Sequence, residues 1–252
     1  MCRLIAFASR EPVNFHDLIG DSFQDFVELS ERHRDGWGFA WLNEANELQV
    51  VKAPEEARRS GSFRFQAENV RARTMITHLR WAYGEGMNVC EENTHPFLKN
   101  GAAFEHNGTM NDSRRLLQIV PQHLRDLDGN TDSEVMFRVI LSFYEQTGSM
   151  EEAIEKTLLE IKNGYTFTGL NFLMLTKEKL YAGCAFHPGT PLLKEEPDLY
   201  DLHYSIQDRH IIIASSQWPK AGEWPMLANG EILSIDCKSL ETATWKINGW
   251  NF

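Results

Sequence analysis

Cysteine is scarce in this chain: four occur in 252 residues, at Cys2, Cys90, Cys184 and Cys237, with no Cys-x-x-Cys pair. That pattern suits a reducing compartment better than a disulfide framework, so a cytoplasmic setting is expected. Long apolar runs are missing too. No 18-residue apolar segment could span a bilayer, and no basic stretch followed by an apolar run marks a secretory signal at the start. Positive charge is in deficit, with 25 Lys and Arg against 36 Asp and Glu, a formal net charge of -11. Such a surface repels a phosphate backbone, and the short basic cluster of Arg71 and Arg73 lies beside an apolar run, where it reads as a strand edge. Neither a nucleic-acid partner nor a membrane is expected. Low-complexity linkers, repeats and shifts of composition are also lacking, so residues 1–252 read as a single domain.

What is present is ordinary globular material, 42% apolar and 24% charged, in a chain long enough to bury a substantial core. Strand-like runs cover Arg3 to Ala8, Trp37 to Leu42 and Leu48 to Val51, the last two flanking a turn at Asn43 to Asn46. Between the first two, Leu18, Phe23, Phe26 and Leu29 recur at helical spacing within Phe15 to Arg34. Strands are predicted again at Thr74 to Leu79 and Ala102 to Glu105, joined by a polar stretch, Tyr83 to Asn93, that reads as a mobile loop.

Three helices are predicted next. Asp112 to Leu127 carries Leu116, Leu117, Ile119, Val120 and Leu124, with a kink or break at Pro121. Thr131-Asp132-Ser133-Glu134 and Ser149-Met150-Glu151-Glu152 each have the form of a capping box and open the other two. Strand patterns return at Gly169 to Leu175, Lys179 to Ala185, His210 to Ser215, Glu231 to Ile235 and Thr242 to Ile247. Strands, then helices, then strands imply a layered α+β fold, and two sheets between helical layers would fit.

The chemistry starts at Met1-Cys2-Arg3. Methionine before a small residue is commonly trimmed, and trimming here would leave a thiol and a free α-amine on one residue. An α-amine titrates near 7.7–8.0, so it can take the thiol proton close to neutral pH without a separate histidine. The thiolate is the reactive form. Taken alone, Cys2 reads equally as a small apolar residue at the start of a buried strand.

Further motifs accompany it: Thr77-His78-Leu79-Arg80-Trp81-Ala82, then Thr94-His95-Pro96-Phe97, then Phe104-Glu105-His106-Asn107-Gly108, then Gly129-Asn130-Thr131-Asp132-Ser133-Glu134. In type and order these resemble the class II (N-terminal cysteine) glutamine amidotransferases. The resemblance implies a four-layer αββα sandwich, the fold of N-terminal-nucleophile (Ntn) hydrolases, and cleavage of glutamine or a γ-glutamyl amide through a thioester on Cys2. It implies that Arg80 holds the substrate α-carboxylate, for which a planar bidentate donor is suited. It also implies that Asn107 and Gly108 form the oxyanion hole, that Asp132 binds the α-ammonium, and that Trp81 and the loop after it line the pocket and close over the substrate. Each has a plainer reading: a surface ion pair for Arg80, a hairpin turn for Asn107-Gly108, a helix N-terminal acid for Asp132.

His78, His95 and His106, with Cys90 nearby, match no standard zinc spacing, so neither metal nor cofactor is expected. Asp35-Gly36-Trp37-Gly38-Phe39-Ala40 and Asn93-Thr94-His95-Pro96-Phe97 resemble the small stand-alone members, γ-glutamyl hydrolases among them. Tyr83-Gly84-Glu85-Gly86 departs from the Thr-His-Gly that follows Arg-Trp-Ala in glucosamine-6-phosphate synthase, and Ser215-Ser216-Gln217-Trp218 matches the stand-alone group only loosely. Three functions therefore stand: a stand-alone amidase, a glutaminase subunit passing ammonia to a separate synthase, and a non-catalytic binding protein of the same fold, favoured if Met1 is retained.

Overall fold

The computed structural model describes residues 2–82, 88–215 and 222–252. Within them two six-stranded antiparallel sheets stack face to face, with helices on both outer sides. The first sheet has the order β3-β2-β4-β1-β10-β9, formed by β1 (Arg3–Val13), β2 (Gly36–Leu42), β3 (Leu48–Ala53), β4 (Ala72–Arg80), β9 (His203–Ile206) and β10 (His210–Ala214). The second runs β12-β11-β8-β7-β6-β5, formed by β5 (Phe97–Lys99), β6 (Ala102–Asn107), β7 (Asn171–Thr176), β8 (Lys179–Cys184), β11 (Glu231–Asp236) and β12 (Thr242–Lys246). Five helices complete the layers: α1 (Phe15–Ile19), α2 (Phe23–Glu28) and α3 (Gly61–Asn69) on the first sheet, α4 (Asp132–Thr147) and α5 (Met150–Gly164) on the second. This is the αββα arrangement.

Strand alternation builds the layers. Successive side chains point to opposite faces, so a strand covered on both sides is apolar at every position. In β1, Leu4, Ala6 and Ala8 enter the layer between the sheets, while Ile5 and Phe7 pack under the helices. In β6, Ala103 faces the other sheet and Phe104 stacks on Phe137 of α4. The inter-sheet layer uses small residues on both sides, including Ala6, Ala40, Ala103 and Ala182, which bring the backbones close. Bulk is supplied by the outer layers, where Phe7, Phe15, Phe26, Phe39 and Phe63 are fully buried. Each contributes roughly 1.5–3 kcal/mol by leaving water.

The predicted helix over Asp112 to Leu127 is replaced by two 3-10 segments, Ser113–Gln118 and Gln122–Leu124. Pro121 lies between them in extended conformation, with φ -65° and ψ 152°. Proline lacks the N–H a continuous helix needs and drives the residue before it out of the α region. Leu116, Val120 and Leu124 still bury themselves in the core around α4, so the apolar spacing was real although the helix was not. The predicted stretch Phe15 to Arg34 is likewise divided, into α1, α2 and two 3-10 turns, with the first break at Gly20. The turn at Asn43 to Asn46 forms as expected, with Asn46 at φ 58°. Both capping boxes form their first half: Thr131 Oγ1 accepts from Glu134 N at 3.1 Å and Ser149 Oγ from Glu152 N at 3.3 Å. Elements α3, β5 and β9 were not anticipated. Among the described residues no helix is long and apolar enough to cross a membrane.

Candidate active site

The site is set by strand register. Strands β1 and β4 pair antiparallel with Leu4 opposite His78 and Arg3 opposite Leu79, so the next step places Cys2 against Arg80. Both belong to the inter-sheet face, at the end of the sandwich where β6 delivers Asn107 from the other sheet. Cys2 is buried, and its sulfur accepts from Trp81 N–H at 3.5 Å while the thiol points toward Trp81 O at 3.7 Å. Burial pushes the thiol above its ordinary range, against the opposing pull of the Trp81 main chain and the charges of Arg80 and Arg3.

Arg80 is only 2% exposed. Its Nη2 donates to Asn88 O at 3.3 Å, and its Nη1 has no hydrogen-bond partner among the described residues. The turn it enters is tied down by Asp35, whose N–H donates to Arg80 O at 3.1 Å and whose Oδ2 accepts from Ala82 N at 2.8 Å. The Trp81 ring turns toward the helical side of the first sheet, with the Arg32 guanidinium 4.5 Å from its centroid and the His33 ring edge-on at 6.1 Å. Its main chain, not its ring, meets the Cys2 sulfur.

On the second sheet, β6 ends at Asn107, which pairs with Asn171. The Asn107 amide is buried, and neither Oδ1 nor Nδ2 has a partner among the described residues. Gly108 follows at φ 152°, where a Cβ would overlap the carbonyl of Gly169. Only glycine allows so close an approach there. His106 braces this corner by donating from Nε2 to Gly169 O at 3.1 Å and accepting from Ser133 Oγ at Nδ1, 2.9 Å away. Burial holds this imidazole below its ordinary pKa, in keeping with one donating and one accepting nitrogen.

Asp132 opens α4, half-buried. Its Oδ2 accepts from Met110 N at 2.6 Å and its Oδ1 from Ser133 N at 2.8 Å. The helix-capping role and a further carboxylate role are therefore compatible, since a carboxylate has more lone pairs than these two bonds use.

Sequence reasoning attached no role to three features. Asn93, 1% exposed, bonds to Asn88 and Asn130 on either side of the site. Glu105 lies two residues before Asn107 on the same strand face, fully buried, with both oxygens unpartnered among the described residues; burial holds its carboxyl well above the usual carboxylate range. The His78 and His95 rings lie 4.3 Å apart, tilted by 38°, and burial drives both well below the ordinary imidazole range. The His95 carbonyl and Pro96 cross directly over Gly38, where any side chain would collide with them, which accounts for the second glycine of Gly36-Trp37-Gly38. The described residues hold no cluster of His, Cys, Asp and Glu placed to hold a metal ion. Residues 83–87, part of the expected substrate loop, lie outside the described residues, as do Met1 and Ser216-Gln217-Trp218.

Comparison with known proteins gives a consistent result. The family model of class-II glutamine amidotransferases matches residues 1–244. The "Probable glutamine amidotransferase DUG3" of Saccharomyces cerevisiae is 26% identical over 170 residues, which span 59% of this chain and 47% of that protein. Glutamine–fructose-6-phosphate aminotransferase (isomerizing) of Haemophilus ducreyi is 28% identical over 178 residues, 68% of this chain and 27% of that one. The chain thus spans about half or less of these two relatives. The solved structure of a glutamine aminotransferase class-II domain protein from Silicibacter pomeroyi superimposes with a TM-score of 0.71, covering 98% of this chain and 99% of the other at 19% identity, a likeness of fold. On the match over residues 1–244, the chain belongs to the class-II glutamine amidotransferases.

Proposed function

We propose that the protein is a single-domain, stand-alone cytoplasmic amidohydrolase that cleaves the side-chain amide of glutamine or of a γ-glutamyl amide. The observation that carries this reading is Arg80. It is a nearly buried guanidinium, opposite Cys2 where the β1–β4 register is continued by one residue, with an Nη1 donor left unused by the described residues. No acidic side chain among the described residues forms an ion pair with it; a buried cation left so is costly, and a ligand carboxylate would relieve that cost. An amino-acid head group bound there would set its side-chain amide near Cys2.

The chemistry follows from the groups present. Once Met1 is removed, the α-amine of Cys2 takes the thiol proton, and the sulfur attacks the γ-carbonyl carbon. The oxygen gains negative charge and accepts hydrogen bonds from Asn107 Nδ2 and Gly108 N–H, both at the end of β6. Collapse of the tetrahedral species breaks the C–N bond; the amine leaves with the proton held by the α-ammonium, and a thioester remains. Water, deprotonated by the same amine, attacks the thioester, releasing glutamate and restoring the thiol. Asp132 holds the substrate α-ammonium and Arg80 its α-carboxylate throughout, and Trp81 borders the site through its main chain, which meets the Cys2 sulfur.

A second reading has the released ammonia pass to a separate synthase. It draws on the relation to glutamine–fructose-6-phosphate aminotransferase, of which the matched part is only 27%. Glutamate release measured over glutamine and a panel of N-substituted γ-glutamyl amides tests the two. Turnover of substituted amides at rates equal to or above glutamine supports the stand-alone amidase. Turnover of glutamine alone favours ammonia delivery. No turnover by a preparation shown to lack Met1 would exclude both, leaving a binding protein of the same fold.

A further inference from the structure

We infer that Asn93 is a positioning residue that fixes the distance between the two ends of the amino-acid head-group site, Arg80 and Asp132. The inference rests on the reading that these two residues hold the α-carboxylate and α-ammonium of one ligand. Arg80 and Asp132 come from different sheets of the sandwich, one ending β4 and the other starting α4 over the second sheet. Nothing in strand register sets their separation. A continuous hydrogen-bonded path does. The Asn88 carbonyl accepts from Arg80 Nη2 at 3.3 Å and from Asn93 Nδ2 at 3.2 Å. The same Asn93 Nδ2 donates to Asn130 Oδ1 at 2.7 Å, and Asn93 Oδ1 accepts from Asn130 N at 2.8 Å. Two residues beyond Asn130 stands Asp132.

Both ends of the path are rigid. On the Asp132 side, Glu134 is buried and accepts from Asp128 N at 2.8 Å and Gly129 N at 2.9 Å, while Arg138 Nη2 neutralises it at 2.8 Å. Gly129 lies flat against the Asn93 amide, and a Cβ there would overlap Asn93 Oδ1. On the Arg80 side, the guanidinium is itself buried. A side-chain amide is the one group that fits, because Asn93 must donate twice from one end and accept at the other in a space closed to water. Aspartate has the same shape and would turn two donations into repulsions. The Asn130 side chain is exposed, so its truncation removes one bond of the path without opening a cavity in the core.

Isothermal calorimetry of L-glutamate and of glutarate, which lacks the α-amine, on wild type, Asn93→Asp and Asn130→Ala tests this, alongside KM and kcat for glutamine. The expected result is L-glutamate binding weaker by about fivefold to tenfold in either variant, the size of one or two lost hydrogen bonds. The preference for L-glutamate over glutarate should shrink by a similar factor, and KM should rise with kcat little changed. A merely structural role would lower the melting temperature and leave that preference intact, and this result would overturn the inference. Asn130→Ala keeps the test open if Asn93→Asp does not fold. If wild type binds L-glutamate but hydrolyses nothing, the enzymatic reading fails while the tether is still judged by binding. If wild type binds neither ligand, both fall.

Discussion

Gly108 and Gly169 meet backbone to backbone, so closely that a methyl group on the first would overlap the carbonyl oxygen of the second. That carbonyl also accepts from His106 Nε2 at 3.1 Å, which fixes it in place. The contact joins the end of β6 to the segment leading into β7 and aims the Gly108 main chain. Gly108→Ala therefore has no room to relax. Steady-state kinetics should show kcat reduced by about a hundredfold or more, the size expected when an oxyanion donor is displaced. The strained φ should also lower stability by about 1–3 kcal/mol in thermal or denaturant unfolding. Activity close to wild type would remove Gly108 from the oxyanion hole.

Arg80 and Asn107 should fail in different ways. Arg80→Lys replaces a planar fork by a point charge, so KM for glutamine should rise about tenfold or more while kcat falls less. Asn107→Ala should instead lower kcat, again by about 100- to 1,000-fold, with KM nearly unchanged. If both variants changed kcat and KM alike, the division between head-group binding and oxyanion stabilisation would be wrong.

The pH dependence of the reaction follows from the Cys2 environment. Burial raises the thiol, so near neutral pH it is protonated and needs a base. The α-amine serves only when neutral. As pH falls below its ordinary range of about 7.7–8.0, kcat/KM should therefore decline, with a slope of one proton. Initial rates measured from about pH 5 to about pH 9 check this. A pH-independent rate down to acid values would point to a preformed thiolate.

Glu105 should shape the pH dependence of stability. Its carboxyl is raised in the folded state by burial, so between the unfolded value of 4.5 and its folded value the native state binds more protons than the unfolded chain. Its contribution is fully present below pH 4.5 and is lost as pH rises through that window. Glu105→Gln, which cannot ionise, should raise the melting temperature at mildly alkaline pH and change it little in acid. His78 and His95 act in the opposite sense: their lowered pKa means stability is lost as pH falls below the unfolded value of 6.5. Melting curves for wild type and Glu105→Gln from acid to alkaline pH separate the two effects.

Much of this was legible in the chain because it lies in local patterns. The strand-like runs Arg3 to Ala8 and Trp37 to Leu42 form strands buried on both faces, and Thr131 and Ser149 cap the two long helices as their sequences implied. The misses have physical causes. In α3, Phe65 is 59% exposed, which spoils the apolar stripe that Phe63 and Ala67 begin. Strands β5 and β9 have three and four residues, too short for alternation to register. Leu116, Val120 and Leu124 kept helical spacing through a proline that broke the helix. Cys2, Arg80, Asn107, Gly108 and Asp132 could be nominated from motifs, but Asn93 could not. Its value lies in bonds to Asn88 and Asn130, which only folding brings together.

The most direct test of Cys2 as nucleophile is covalent capture. The protein is treated with a diazo-ketone analogue of glutamine, and intact-mass analysis with peptide mapping locates the adduct. Arg80→Lys and an excess of L-glutamate serve as controls. One adduct per chain, on Cys2 as the N-terminal residue after loss of Met1, slowed by L-glutamate and by Arg80→Lys, is the predicted result. Unlabelled Cys2, or labelling of Cys90 with Met1 fully retained and no glutamate released from any γ-glutamyl amide, would contradict it.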